Sequence, residues 1–243
     1  MEQNQVPVSP EPVQIEAQEK SLPWSAAESW IGVVLLVLLN VGLILFISGS
    51  AGKQMAQSAL VVLAEAAYVL PVVIILAWKR ISWKHLGFGG FHWGDLAIGC
   101  GMLIVGYGII IAHNIILLIL GVDTQGKQIQ DILNAIDSPV WFFIAAAIVA
   151  PLVEEIFFRG FLFQGFRQRY GWVPALLLSS AIFSAAHLDL ASLIPTFILG
   201  LILSYVYHRS NSLWPGILIH FLINASSTLL IYLTTYLPQF IPS

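Results

Sequence analysis

The chain has 243 residues, of which 58% are hydrophobic and only 9% charged, and its net charge is −3. Soluble domains carry about 25% charged residues, so water is not its main solvent, and without a basic patch it offers nothing to a nucleic acid. The single cysteine, Cys100, excludes an intrachain disulfide and a multi-cysteine zinc site; in its apolar stretch it reads as a small packing residue.

Residues 1–28 are acidic, rich in Gln and Pro and poor in large apolar side chains. They lack the basic start and early apolar run of a signal peptide and read as a disordered cytoplasmic tail. Apolar runs follow near 30–49, 58–78, 95–120, 139–158, 173–190, 191–207 and 213–236. Most reach the roughly 20 residues that cross a 30 Å hydrocarbon core. The expectation is an all-α, polytopic transmembrane bundle of seven helices, or eight if one run splits. Residues 29–138 would form N-terminal transmembrane helices and 139–236 a core that carries the polar site. Residues 237–243 form a tail without the cysteine that prenylation requires.

Trp30, Trp78, Trp141, Trp172 and Trp214 fall at span ends, where interfacial aromatics belong. Threading the spans alternately puts Lys20, Lys79, Arg80, Lys84, Arg167, Arg169 and Arg209 on one side, with Lys53 and Lys127 on the other. By the positive-inside rule the first side, with the N-terminus, is cytoplasmic, and 122–138 is an outer loop. The expected location is a bacterial plasma membrane.

Against this background Glu154, Glu155 and Arg159 stand inside an apolar run, "APLVEEIFFRGFLF". Three charges at mid-membrane cost on the order of 8–10 kcal/mol, so they need a reason. Glu155 and Arg159 are four apart in the favourable order and can neutralise each other as structural support. Glu154 lies about 100° around the helix, with Phe157 and Phe158 as its neighbours one turn on, so its partner must come from another helix. Pro151 just before it leaves a backbone carbonyl free. Span five offers Phe183 and His187 at i,i+4, and span seven His220 and Asn224. Intramembrane ionisable groups face the bundle interior and one another, so Glu154, His187, His220 and Asn224 are expected in one pocket.

A carboxylate and an imidazole can position a water and take its proton. A second imidazole and an amide can donate to the oxyanion formed at a peptide carbonyl. Glu154, His187 and His220 could instead hold zinc with one open position, although no HExxH motif is present. Elsewhere, Glu65 is an isolated mid-helix acid. His113 and Asn114 read as hydrogen-bonded core residues, and "GFGGFHWG" (87–94) as an interfacial turn.

"EEIFFR", "FSAAH" and "HFLIN", in that order, resemble the EExxxR, FxxxH and HxxxN motifs of the CAAX-protease and bacteriocin-processing family of intramembrane proteases, the Abi family. The resemblance covers about residues 139–236. It implies Glu154 as general base with His187, His220 and Asn224 as oxyanion donors, and Glu155 and Arg159, with Phe183, as support for the fourth helix. It further implies no cofactor, with a zinc-dependent variant as the alternative. The partners would be the lipid bilayer and a protein or peptide substrate, lipidated or not. Two other functions compete. One is a non-catalytic adaptor with the same fold. The other is a transporter or proton relay, against which stands the lack of a matching polar set before residue 139.

Overall fold

The structure, a computed structural model, describes residues 22–49, 57–122, 130–131 and 138–236. The readings placed on residues 1–21, Lys53, Lys127, most of the 122–138 loop and 237–243 lie outside the described residues.

Among the described residues there is no strand, and seven helices have 15 residues or more. They are α1 (Ala26–Ser48), α2 (Gln57–Lys79), α3 (Trp93–Ile119), α4 (residues 139–170), α5 (Trp172–Ala186), α6 (Leu193–Ser210) and α7 (Leu213–Tyr236). Five of them, α1 to α4 and α7, are long and apolar enough to cross a membrane.

The first helix starts inside the segment read as a tail. Ser25 and Glu28 form a capping box. Trp24 is buried, stacked on Phe161, and donates from Nε1 to Phe161 O at 3.1 Å. One large aromatic and a cap thus order residues that composition alone marks as disordered.

α4 is the hub. Of its span 56% is buried within the protein, against 6% for α3. All of Ile156–Phe163 is enclosed, with Phe157, Phe158, Phe161, Phe163 and Phe166 at the centre of the main core. The helix is not uniformly α. Ile144–Val149 and Ile156–Phe163 are π-helical, on either side of an α-helical Ala150–Glu155. In the first π stretch the Ala150 N–H bonds Ala145 O, five residues back. The next amide in that register belongs to Pro151, which has no hydrogen to give. Ala146 O therefore needs another donor.

α5 is too short to cross. Its 15 residues rise about 22 Å, against a hydrocarbon core of about 30 Å. The predicted span 173–190 in fact stops at Ala186. Leu188 takes a left-handed conformation (φ 53°), and the Asp189 carboxylate accepts from the Ala191 and Ser192 amides at 3.2 and 2.9 Å. This self-satisfied turn sends α6 back alongside α5. Gly200 lets the two approach so closely that a Cβ there would sit 3.0 Å from Ser180 Cα.

α3 packs outside, on α6 and α7. Cys100 on it is exposed, not the packing residue expected, because α3 turns most of its surface away from the bundle. The 87–94 turn is held from beneath: Leu213 N donates to Gly87 O at 2.7 Å and Ser212 Oγ to Gly89 O at 2.7 Å.

Candidate functional site

Glu154 and Glu155 lie on the buried α-helical turn between the two π stretches of α4. Arg159 Nη1 donates to Glu155 Oε1 at 2.7 Å, and its Nη2 donates to Gly200 O at 3.2 Å. Its guanidinium carbon lies 4.5 Å from the centroid of the Phe183 ring. That ring also meets His187 and His220 edge-on, at 4.9 and 5.8 Å. Phe183 is thus the apolar spacer around which the charged and imidazole groups are arranged.

His220, on α7, stands between the two glutamates. Its Nδ1 is 3.2 Å from Glu155 Oε1, and its Nε2 is 3.7 Å from Glu154 Oε2. A carboxylate only accepts, so the hydrogen of the first contact is on Nδ1. Glu155 therefore supports more than its own helix: it fixes the ring of His220, a link that spacing on one helix could not reveal. Glu154 Oε2 is buried and has no hydrogen-bond partner in the protein.

His187 is the C-cap of α5. Its Nδ1–H donates to Phe183 O at 2.8 Å, which leaves Nε2 with a free lone pair. Glu154 precedes Gly171 by 17 residues and His187 follows it by 16, so the early stop of α5 brings His187 to a depth comparable with Glu154. Irregular backbone at membrane depth is tolerated where it lines a cavity, and His187 does line one.

That cavity, of about 420 Å³, is walled by Glu154, His187, His220 and Asn224 together with α3 and α6 side chains. Asn224 Nδ2 donates to Ala146 O at 2.9 Å, the carbonyl that Pro151 leaves open. One amide hydrogen of Asn224 is thereby used structurally and the second remains. Asn114, read as a core residue, lines the cavity instead, one face of α3 closing its far end.

Among the described residues no three His, Cys, Asp or Glu side chains converge as a metal site, and Glu154, His187 and His220 do not close into one. The arrangement offers a buried carboxylate, an imidazole lone pair, a second imidazole held by a carboxylate, and an amide, all on one cavity.

Glu65 is partly buried on α2, and its Oε2 is enclosed without a partner. Its isolation within an apolar run was the only signal available.

Residues 136–226 match the family model described as Type II CAAX prenyl endopeptidase Rce1-like. All three motifs fall within that segment, so the resemblance drawn from them is borne out there. YdiL of Bacillus subtilis (strain 168), a candidate membrane peptidase by its name, is 31% identical over 114 residues, 47% of either chain. A 24.3 kDa uncharacterized protein of Escherichia coli is 42% identical over 78 residues, 30% of this chain and 36% of its own. The UPF0177 protein YaiF of Lactococcus lactis subsp. lactis (strain IL1403) is 33% identical over 105 residues, 42% of this chain and 45% of its own. The chain spans about half the length, or less, of the curated relatives it matches. No solved structure matches it. With five apolar spans and these relatives, the chain is an integral, multi-pass membrane protein.

Proposed function

We propose that this chain is an intramembrane endopeptidase that hydrolyses a peptide bond of a membrane-associated protein or peptide, of CaaX or bacteriocin type. One observation carries the reading: Glu154 presents an unpartnered buried oxygen, 3.7 Å from His220 Nε2, on a cavity it shares with His187 and Asn224.

Glu154 is the general base. It takes a proton from water as the water's oxygen attacks the scissile carbonyl, and the proton passes to the departing amine. His187 accepts through Nε2 and orients the water, since its Nδ1 is committed to Phe183 O. With one hydrogen of His220 on Nδ1 towards Glu155, a second on Nε2 makes the ring an imidazolium, and that Nε2–H and the second amide hydrogen of Asn224 hold the developing oxyanion. Glu155 and Arg159 fix His220 and the α4 turn. In a site enclosed by protein each of these contacts is stronger than in water.

The test is cleavage of two fluorogenic peptides ending in Cys-aliphatic-aliphatic-X, one farnesylated and one unmodified, by the purified full chain in lipid nanodiscs. Glu154→Gln should lower turnover by about 10²-fold or more with an unchanged melting temperature. Wild-type turnover by Glu154→Gln would remove the general-base assignment. A chelator arm separates the zinc alternative, which requires activity lost with chelator and restored by zinc.

A further inference from the structure

Glu65 is a partly buried acid, its Oε2 enclosed, that this mechanism leaves idle. It lies roughly two turns inside the nearer end of α2, and a glutamate stem is too short to snorkel that far. α2 packs on the Ala150–Glu155 turn of α4. Tyr68, one turn beyond Glu65, donates its hydroxyl to Ala186 O at 3.4 Å, directly before His187, and its ring meets Phe157 and Phe158. These contacts fix the height of α2 against both α4 and α5. Glu65 stands one turn before Tyr68 as Glu154 stands one turn before Phe157 and Phe158, so the two acids share a level, and each has an enclosed Oε2 lacking a protein partner.

The other groups of the cluster are spoken for. Arg159 on α4 is joined to Glu155, His220 on α7 contacts both glutamates of α4, and His187 on α5 bonds Phe183 O. Glu65 forms no ion pair among the described residues. Two carboxylates side by side in a low dielectric repel, whereas a carboxylic acid beside a carboxylate attracts it through a short O–H···O bond.

We propose that Glu65 is a positioning residue of the hydrolytic site, a neutral acid that donates its hydrogen to the Glu154 carboxylate and holds it in line with the water. The proposal rests on the proteolytic reading above. As the water attacks, its proton goes to Glu154 and then to the leaving nitrogen, while the Glu65 hydrogen stays in place. Glu65 lies outside the matched segment 136–226, so the N-terminal helices would supply part of the active site.

The experiment compares Glu65→Gln, which keeps a donor of the same shape, with Glu65→Leu, which keeps only bulk, in the same nanodiscs and with the same two peptides. The expected result is near wild-type kcat for Gln, and a kcat lower by about 10- to 100-fold for Leu at unchanged KM. Equal activity of both variants and wild type would overturn the proposal. So would an equal loss in both at unchanged melting temperature, because a donor would then not be what matters. Infrared difference spectra give a readout free of substrate: the carbonyl band of a protonated carboxyl should vanish in Glu65→Gln and shift in Glu154→Gln. A band absent from wild type, or indifferent to Glu154→Gln, would also overturn the pair. If instead wild type and Glu154→Gln cleave alike, or neither cleaves, the proteolytic reading fails, and the infrared result still decides whether the two acids are joined.

Discussion

Glu155 Oε1 accepts from two helices at once, from Arg159 at 2.7 Å and from His220 at 3.2 Å. This predicts two distinct phenotypes. Arg159→Ala strands the Glu155 charge in a fully buried position and should cost about 3–5 kcal/mol, read as a lower melting temperature and less monodisperse protein. Arg159→Lys should rescue little, because a single ammonium cannot bridge Glu155 and Gly200 O as the planar guanidinium does. Glu155→Gln in an Arg159→Met background removes both charges and should recover most of the folded protein, but not turnover, since His220 loses the anion that orients it. Recovery of turnover as well would mean that Glu155 acts only as support. The i,i+4 pairing was legible in the sequence because it is local. The His220 bond was not, because the face of α7 that meets α4 is decided by tertiary packing, with Gly216 lying so near that a Cβ would stand 2.8 Å from Glu155 Oε2.

The unit that shapes the site at the scale of elements is the wide turn of α4. Pro151 breaks its ladder, and Asn224 on α7 fills the gap at Ala146 O. Asn224 therefore has a structural duty alongside the proposed oxyanion role, and a double-mutant cycle separates the two. Asn224→Ala should lose about 1–3 kcal/mol by orphaning a buried carbonyl, together with turnover. Pro151→Ala supplies an amide hydrogen to the same stretch, so the double variant should regain melting temperature. Turnover should stay low, and its recovery with stability would assign Asn224 to structure alone. The free carbonyl could be foreseen from Pro151, but its donor 73 residues later could not. Hydropathy located all seven helices, yet it carried the fifth past its end, because "HLDLAS" is apolar enough to pass for helix. A left-handed Leu188 and an Asp189 turn stop it, and that stop sets the depth of His187.

At the scale of the molecule, the ion pairs outside the site among the described residues lie at one end of the bundle. Lys79 pairs with Glu28, Arg209 lies 3.5 Å from Asp95, and Arg167 donates to Asn211. Gln168 ties Leu22 and Trp24 to the end of α4. The start of α1, the end of α2, the start of α3 and the ends of α4 and α6 therefore share one side, and six of the ten Lys and Arg residues lie there or in the adjoining loops. We propose from the positive-inside rule that this side faces the cytoplasm. Single-cysteine labelling of intact cells tests this, in a Cys100→Ser background because the native thiol is exposed. Val122→Cys, at the opposite end, should react with a membrane-impermeant maleimide in intact cells, and Lys84→Cys only after permeabilisation. The reverse pattern would invert the protein. It would also invert the cavity, whose lining runs from Glu154 past Asn224 to Asn114 and Ile231, away from the basic end and towards the side that Val122→Cys reports.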